Sequence, residues 1–240
     1  MKTMKTMKTK RFLGWVACAL LVAVAVVPNA QAHPNPRITI LFGGSFISGD
    51  RTFDVNGDTF VSQFLNGGKF RLRGSLDLTS HWTLEGDYSF GRNDQRITQD
   101  DGIDILERDF KVTVGQVQMN FVRFFTDNES RVRPFFTAGL GMVRFNPTDE
   151  AKAAALAGDF LDDPTQLTSS IDFSFAVGGG LEARLNRWLG LRFDFKDHMS
   201  PIPRFGLTET SSGPGGIFFP VSGILHNVEA AGGIVFYFLP

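Results

Sequence analysis

Residues 171–198, IDFSFAVGGGLEARLNRWLGLRFDFKDH, constrain the fold more than any other stretch. Apolar residues occupy every second position on either side of Asn186-Arg187, with small or charged residues between them. Because successive side chains of a β-strand point to opposite faces, this alternation predicts a hairpin of two amphipathic strands. A soluble sandwich would bury the apolar face. A membrane barrel would turn that face toward lipid and the charges toward its lumen.

The first 32 residues form a separate segment. Four Lys and one Arg precede an apolar run over residues 12–27, which ends in Ala30-Gln31-Ala32. This order of basic, apolar and small residues is typical of a secretory signal peptide, so we expect cleavage after Ala32 and a mature domain over residues 33–240. The alternative is an uncleaved anchor, but the apolar run is short for a spanning helix. The single cysteine, Cys18, lies in this segment, so we expect no disulfide and no thiolate metal site in the mature chain.

The mature chain is predicted to be acidic. Removing the five basic residues of the leader from 24 leaves 19 against 25 acidic residues, a net charge of −6. This balance argues against nucleic acid as a partner and predicts no basic patch for anionic lipid. No stretch of the mature chain reaches about 18 consecutive apolar residues, so no helical span is predicted.

Eight segments show strand periodicity, and the connections between them alternate between long and short. The predicted strands cover residues 37–48, 69–79, 82–91, 108–126, 132–145, the two halves of 171–198, and 224–239. The long connections cover residues 50–66, 92–107, 146–169 and 200–223, and the third contains DEAKAAALAGDFL, a short helix candidate. Membrane barrels have short periplasmic turns and long extracellular loops. Trp82 and Trp188 each follow a short turn with outward parity, as residues of an interfacial aromatic girdle would.

The fourth strand changes phase along its length. Its apolar residues are even-numbered up to Val114 and odd-numbered from Val117 onward. A one-residue β-bulge at Gly115-Gln116 would restore a single apolar face, and we predict one there.

With this pattern the chain resembles the small eight-stranded outer-membrane barrels, such as the OmpA transmembrane domain and OmpX. The resemblance covers residues 37–240 and includes the closing strand NVEAAGGIVFYF. It implies an all-β fold, an eight-stranded antiparallel up-and-down transmembrane β-barrel in the cell outer membrane. It also implies a monomer that is inserted by the barrel assembly machinery and contacts outer-membrane lipid and lipopolysaccharide. Relatives commonly end on an aromatic residue, whereas Leu239-Pro240 follow Phe238 here.

Parity assigns twelve charged residues to the lumen, six basic and six acidic: Arg71, Arg73, Asp77, Glu85, Asp87, Lys111, Glu182, Arg184, Arg192, Asp194, Lys196 and Glu229. Eight strands enclose an interior just wide enough for side chains. A buried charge without a partner is very costly, so the equal numbers predict a paired network that plugs the lumen. The alternative is a narrow ion channel.

Two further site hypotheses concern chemistry. His198-Met199-Ser200, with Glu209 downstream, resembles the His-x-Ser pair of lipid A deacylases, and a serine activated by a carboxylate-oriented histidine suffices for acyl transfer. Those enzymes carry the pair on the lipid side and follow the serine with Asn, whereas His198 has lumen parity and Pro201 follows Ser200.

Residues 54–58, DVNGD, offer Asp54, Asn56 and Asp58 to calcium, but the glycine and acid that complete such a loop are missing. Asn-Gly turn chemistry explains the same residues. The glycine run 178–180 lies in mid-strand and favours close packing over a phosphate loop. We expect no cofactor and no enzymatic activity. We expect a structural or surface-binding role through the long loops.

Overall fold

The computed structural model describes residues 35–48, 51–55, 58–100, 105–157, 166–207 and 223–238. Three sequence predictions lie outside these residues: the signal segment with its cleavage site, the catalytic candidate Glu209, and the calcium candidate Asn56.

Ten strands and one helix make up the described chain. The strands are β1 (Pro36–Ser48), β2 (Arg51–Val55), β3 (Asp58–Phe64), β4 (Gly67–Asp77), β5 (Trp82–Asp100), β6 (Ile105–Phe124), β7 (Val132–Pro147), β8 (Ser170–Arg184), β9 (Leu189–Pro201) and β10 (Ile224–Tyr237), and the helix is α1 (Asp149–Leu156). Eight of the strands pair antiparallel in the order β1-β4-β5-β6-β7-β8-β9-β10, and β10 pairs back onto β1. The predicted all-β, eight-stranded up-and-down barrel is therefore confirmed.

Three short turns join β4 to β5, β6 to β7 and β8 to β9, and they lie at the same end as the first residue of β1 and the last of β10. We call this the short-turn end and the opposite one the long-loop end. In the last turn the Asn186 side chain accepts hydrogen bonds from the backbone N–H groups of Trp188 and Leu189 (2.8 and 2.9 Å), which is ordinary Asx-turn chemistry. Trp82 and Trp188 are exposed at this end, on the outward face as predicted.

Two of the predicted long connections contain strands, so the sequence interpretation was wrong there. Residues 50–66 hold the hairpin β2–β3, and most of residues 92–107 belong to β5 and β6. Strand β3 pairs with the far half of β5, from Thr59 opposite Asp100 to Phe64 opposite Gln95. Inward apolar residues such as Phe60 and Ile97 stabilise these extensions, whereas most of the outward residues are polar.

The predicted bulge at Gly115-Gln116 is absent. The register between β5 and β6 is unbroken from Trp82 opposite Arg123 to Asp100 opposite Ile105. The even-numbered residues of β6 face inward along the strand. Near the long-loop end these inward residues are apolar, as at Val112 and Val114, and nearer the short-turn end they are polar, as at Gln118 and Asn120. The apolar residues therefore change face because the lumen changes from apolar to polar. Lys111 therefore points outward and is exposed, which corrects its assignment to the lumen.

At the long-loop end the interior is filled by what we call the mouth cluster. Its members are buried apolar side chains: Ile47, Phe60, Phe64, Ile97, Phe110, Val112, Val114, Val143, Phe145, Ala151, Ala155, Leu167, Ile202, Phe205 and Leu225. Helix α1, within the predicted helical segment, contributes the two alanines. Thr148 caps this helix, its side chain accepting from Ala151 N at 3.3 Å.

Large apolar side chains cover the outer wall. They include Phe42, Phe121, Phe136, Leu140 and Phe193, each 48–64% exposed. In the part of the chain that the structure describes, no helix is long and apolar enough to cross a membrane.

Candidate functional site

The charged lumen between the mouth cluster and the short-turn end is the candidate site. Ten of the twelve residues that parity assigned to it are buried. Arg184 is half-buried at the rim, over the ring of Tyr237 (4.3 Å), and Lys111 faces outward. Four further residues belong inside: Arg37, Lys69, Arg133 and His198. We call these fourteen buried residues the lumen network; it holds seven Arg or Lys, six carboxylates and one His.

Arg73 lies at the centre of the network and is fully buried. Its guanidinium contacts Asp87 Oδ1 at 2.5 Å, Asp194 Oδ2 at 2.5 Å and Glu85 Oε2 at 3.3 Å. The planar guanidinium suits such a position because it offers several donors in fixed directions.

Arg192 is the second central cation and shares two of these carboxylates. Its Nη1 lies 2.7 Å from Glu85 Oε1 and 3.1 Å from Glu182 Oε2, and its Nε lies 2.8 Å from Asp194 Oδ1. Each shared carboxylate thus lies between two guanidinium groups. That arrangement compensates the burial of both signs of charge.

Toward the mouth cluster, Glu229 gathers the next set of cations. It accepts hydrogen bonds from Lys69 and Arg71, and His198 Nε2 lies 3.2 Å from Glu229 Oε2. Lys69 Nζ also donates to Gln116 Oε1 at 2.5 Å. On this side the lumen network therefore ends in a layer of polar side chains that adjoins the mouth cluster.

At the short-turn end the cations pack on aromatic rings. The Arg133 guanidinium lies 3.7 Å from the centroid of Phe124, and Arg192 lies 4.1 Å from that of Phe135. The Phe135 ring fits because Gly180 faces it; a Cβ there would lie 2.6 Å from the ring and would collide with the Phe193 carbonyl. The glycine run thus lies in mid-β8, where it serves close packing as predicted.

The three basic residues that the sequence analysis missed carried a usable signal. Arg37 and Lys69 have the same odd parity as Arg71 in strands whose even residues face outward. Arg133 follows the outward-facing Val132. Extending the parity rule to the strand ends would have found all three.

The catalytic candidates face the lumen and not the outer wall. His198 and Ser200 are both buried on the inner face of β9. The Ser200 hydroxyl donates to the Pro201 carbonyl at 3.2 Å, and His198 Nε2 lies against Glu229 and Arg71. Within the described residues no hydrogen bond joins His198 to Ser200.

Two of the calcium candidates, Asp54 and Asp58, lie on the paired strands β2 and β3. Val55 pairs with Asp58, so Asp54 and Asp58 belong to paired strands joined by Asn56-Gly57. Among the residues that the structure describes, no cluster of His, Cys, Asp or Glu could hold a metal ion.

The chain has the sequence pattern of a known family. The profile of the outer membrane protein beta-barrel domain matches residues 16–203. The chain has no significant match among curated protein sequences.

Several solved structures of outer-membrane proteins are similar to this one. The outer membrane protein OprG from Pseudomonas aeruginosa superimposes with a TM-score of 0.51 at 12% identity, over 86% of this chain and 96% of that one. Neisserial surface protein A gives a TM-score of 0.46 at 11% identity over 86% and 98% of the two chains. Ail of Yersinia pestis, in complex with the heparin analogue sucrose octasulfate, gives 0.44 at 12% identity over 85% and 100%. At 12% identity the likeness to OprG is one of fold alone.

Proposed function

Because the chain belongs to the outer membrane protein beta-barrel domain family, we propose that it is a closed, non-conducting barrel of the cell envelope whose specific role lies at its long-loop end. It is an outer-membrane protein, as its family and fold indicate. The observation that carries the proposal is the filled interior, where the lumen network adjoins the mouth cluster.

Two physical arguments support closure. An eight-stranded barrel leaves an interior just wide enough for side chains, and large inward residues such as Arg73 and Arg192 are fully buried in it. An ion that entered would have to replace charge-assisted hydrogen bonds between buried partners, which are among the strongest in proteins. It would then have to pass an apolar layer that offers it no ligands.

The long-loop end is the part that projects beyond the outward apolar band. It carries the far halves of β5 and β6, the hairpin β2–β3 and helix α1. The predicted binding loops 146–169 and 200–223 begin here, and α1 and Phe205 anchor them on the mouth cluster. We propose that this end binds a surface partner or supports the envelope, and that the chain is not an enzyme.

Planar-bilayer recording tests closure. The folded wild-type barrel, identified by the shift in gel mobility between unheated and boiled samples, should give no discrete conductance steps. A general porin reconstituted in parallel shows that the bilayers report channels. Reproducible steps from the folded wild-type barrel would refute the proposal and favour the narrow channel.

Mass spectrometry of lipid A tests the absence of enzymatic activity. Cells that express the wild type and cells that express Ser200→Ala should have identical lipid A acylation. If the wild type removed an acyl chain and the variant did not, the deacylase hypothesis with His198 and Ser200 would replace ours.

A chain that extracts without detergent would contradict the membrane assignment altogether.

The partners follow from the same proposal. We expect a monomer in outer-membrane lipid and lipopolysaccharide that the barrel assembly machinery inserts. Light scattering of the purified barrel in detergent should give the mass of one chain, and a dimer mass would contradict this. Depletion of the assembly machinery should leave the chain without its heat-modifiable form.

A further inference from the structure

We propose that His198 is a pH sensor inside the barrel, which leaves the adjoining side chains well packed near neutral pH and loosens them when the medium becomes acidic. Its polar neighbours are Lys69, Arg71, Gln116 and Glu229, and we call these five residues the sensor layer. The inference goes beyond the closed-barrel proposal and does not depend on it, because it concerns stability and not conductance.

One nitrogen of His198 faces two groups with opposite demands. His198 points inward from β9 and is 2% exposed. Its Nε2 lies 3.2 Å from Arg71 Nη2 and 3.2 Å from Glu229 Oε2. An Arg side chain can only donate a hydrogen bond and an ionised carboxylate can only accept one. Arg71 therefore requires the lone pair of Nε2, whereas Glu229 requires a proton on it.

A second proton on His198 would add a cation to a layer that already has too many. Glu229 accepts hydrogen bonds from both Lys69 and Arg71. A protonated His198 would be the third cation around that one carboxylate. In the whole lumen network it would raise the surplus of cations over carboxylates from one to two. Buried like charges disfavour the charged form of a group, so the folded barrel holds His198 uncharged.

The other charged groups around His198 do not offset this surplus. Charged side chains face it from four strands: Lys69 and Arg71 from β4, Lys196 from β9 itself, Glu229 from β10 and Asp87 from β5. Asp87 already lies 2.5 Å from Arg73 Nε and 3.2 Å from Lys196 Nζ. Strands β6 and β8 contribute the uncharged Gln116 and Ala176. Both carboxylates that face His198 therefore already contact cations.

The sensor layer lies next to the packing that holds the long-loop end. On β10, Asn227 lies opposite His198, and the next inward residue, Leu225, belongs to the mouth cluster. On the β9 side the chain continues to Ile202 and Phe205, which belong to the same cluster. Loosening of the layer would therefore reach the anchor of the predicted binding loop 200–223.

The size of the effect follows from proton linkage. A solvent-exposed histidine gains its proton as the pH falls through about 6.5. Once the sensor layer opens or the barrel unfolds, His198 becomes such a histidine. The open state then binds more protons than the closed one, so acid favours opening. Between pH 7.5 and 5.5 this linkage increases the equilibrium constant for opening or unfolding about tenfold.

His226 provides a matched control on the neighbouring strand. It faces outward, and its Nδ1 lies 2.7 Å from Asp197 Oδ2. A proton on His226 would place a cation beside a carboxylate, so acid should not destabilise this contact. Two histidines at nearly the same level of the barrel thus differ in the charges that surround them.

Urea unfolding at two pH values tests the sensor. The folded, full-length barrel in lipid vesicles is unfolded reversibly at pH 7.5 and at pH 5.5, with the heat-modifiable fraction on gels as the readout. The proteins are the wild type, His198→Gln, Lys69→Gln and His226→Gln. His198→Asn takes the place of His198→Gln if the latter does not reach the heat-modifiable form.

We expect acid to raise the unfolding equilibrium constant of the wild type about tenfold more than that of His198→Gln. Lys69→Gln should also respond less than the wild type, because without this ammonium His198 can hold a second proton beside Glu229. His226→Gln should respond at least as strongly as the wild type. Equal responses of the wild type and His198→Gln would overturn the proposal. An unchanged response of Lys69→Gln would overturn its electrostatic mechanism.

Amide hydrogen exchange tests where the barrel loosens. In the wild type, acid should lower the protection factors of Leu225 and Asn227 about tenfold and leave that of Val122, near the short-turn end, unchanged. In His198→Gln all three protection factors should stay the same. An equal loss of protection at all three amides of the wild type would show a global effect and would refute a local sensor.

Discussion

Replacement of Arg73 by Met tests whether the lumen network stabilises the barrel. Arg73 is fully buried and contacts three carboxylates, so the change removes the cation and leaves the acids in place. Breaking a buried ion pair from one side costs about 3–5 kcal/mol. We expect the lower end of this range because each of the three carboxylates still contacts another cation. Asp87 lies 3.2 Å from Lys196, and Glu85 and Asp194 both contact Arg192. We therefore expect a loss of about 3 kcal/mol, or an unfolding equilibrium constant about 150-fold larger.

The measurement is reversible urea unfolding in lipid vesicles, followed by the fraction of heat-modifiable barrel on gels. Arg131→Met is the control, since Arg131 is exposed in the β6–β7 turn; it should stay within about 0.5 kcal/mol of the wild type. If Arg73→Met unfolded at the same urea concentration as the wild type, the paired charges would contribute nothing measurable, and the argument for a stabilising plug would fail.

Three further changes probe the rest of the interior. Phe145 is 1% exposed in the mouth cluster. Phe145→Ala should lower the free energy of unfolding in the same urea assay by about 3–5 kcal/mol. A loss below about 1 kcal/mol would mean that the cluster is loosely packed. Thr148→Ala removes the cap of α1 and should destabilise that helix by about 1 kcal/mol. Amide hydrogen exchange of Ala151 and Ala155 should then become faster, with that of the β8 amides unchanged. If exchange in the helix stayed the same, packing alone would hold the helix. Gly180→Val would collide with the Phe135 ring and the Phe193 carbonyl, so the variant should not reach the heat-modifiable form; normal assembly would contradict the close packing at this glycine.

Alternation of side chains carried most of the fold prediction. It located the eight barrel strands and the short turns, and it assigned ten buried charges to the lumen. Alternation reports only which residues share a face, however, and it does not report what that face contacts. Along β6 the inner face contacts charges near Asn120 and apolar side chains near Val112. We assumed that the apolar face always points outward, so we predicted a bulge, and the error placed Lys111 inside.

The candidate site was harder to predict than the fold. Which charges lie inside follows from parity, but which of them pair depends on distances across the lumen. Arg192 and Glu85 are 107 positions apart in sequence and only 2.7 Å apart in space.

The unbroken pairing of β5 with β6 also determines how far the protein extends above the membrane. Strand β5 has 19 residues, which span about 65 Å at about 3.4 Å per residue. With a tilt of about 40° this gives a height of about 50 Å, whereas the apolar band of such barrels is only about 25 Å tall. The far ends of β5 and β6 would thus rise about 25 Å above the lipid surface. A macromolecule that approached the cell from outside would contact these strand ends before it contacted the apolar band.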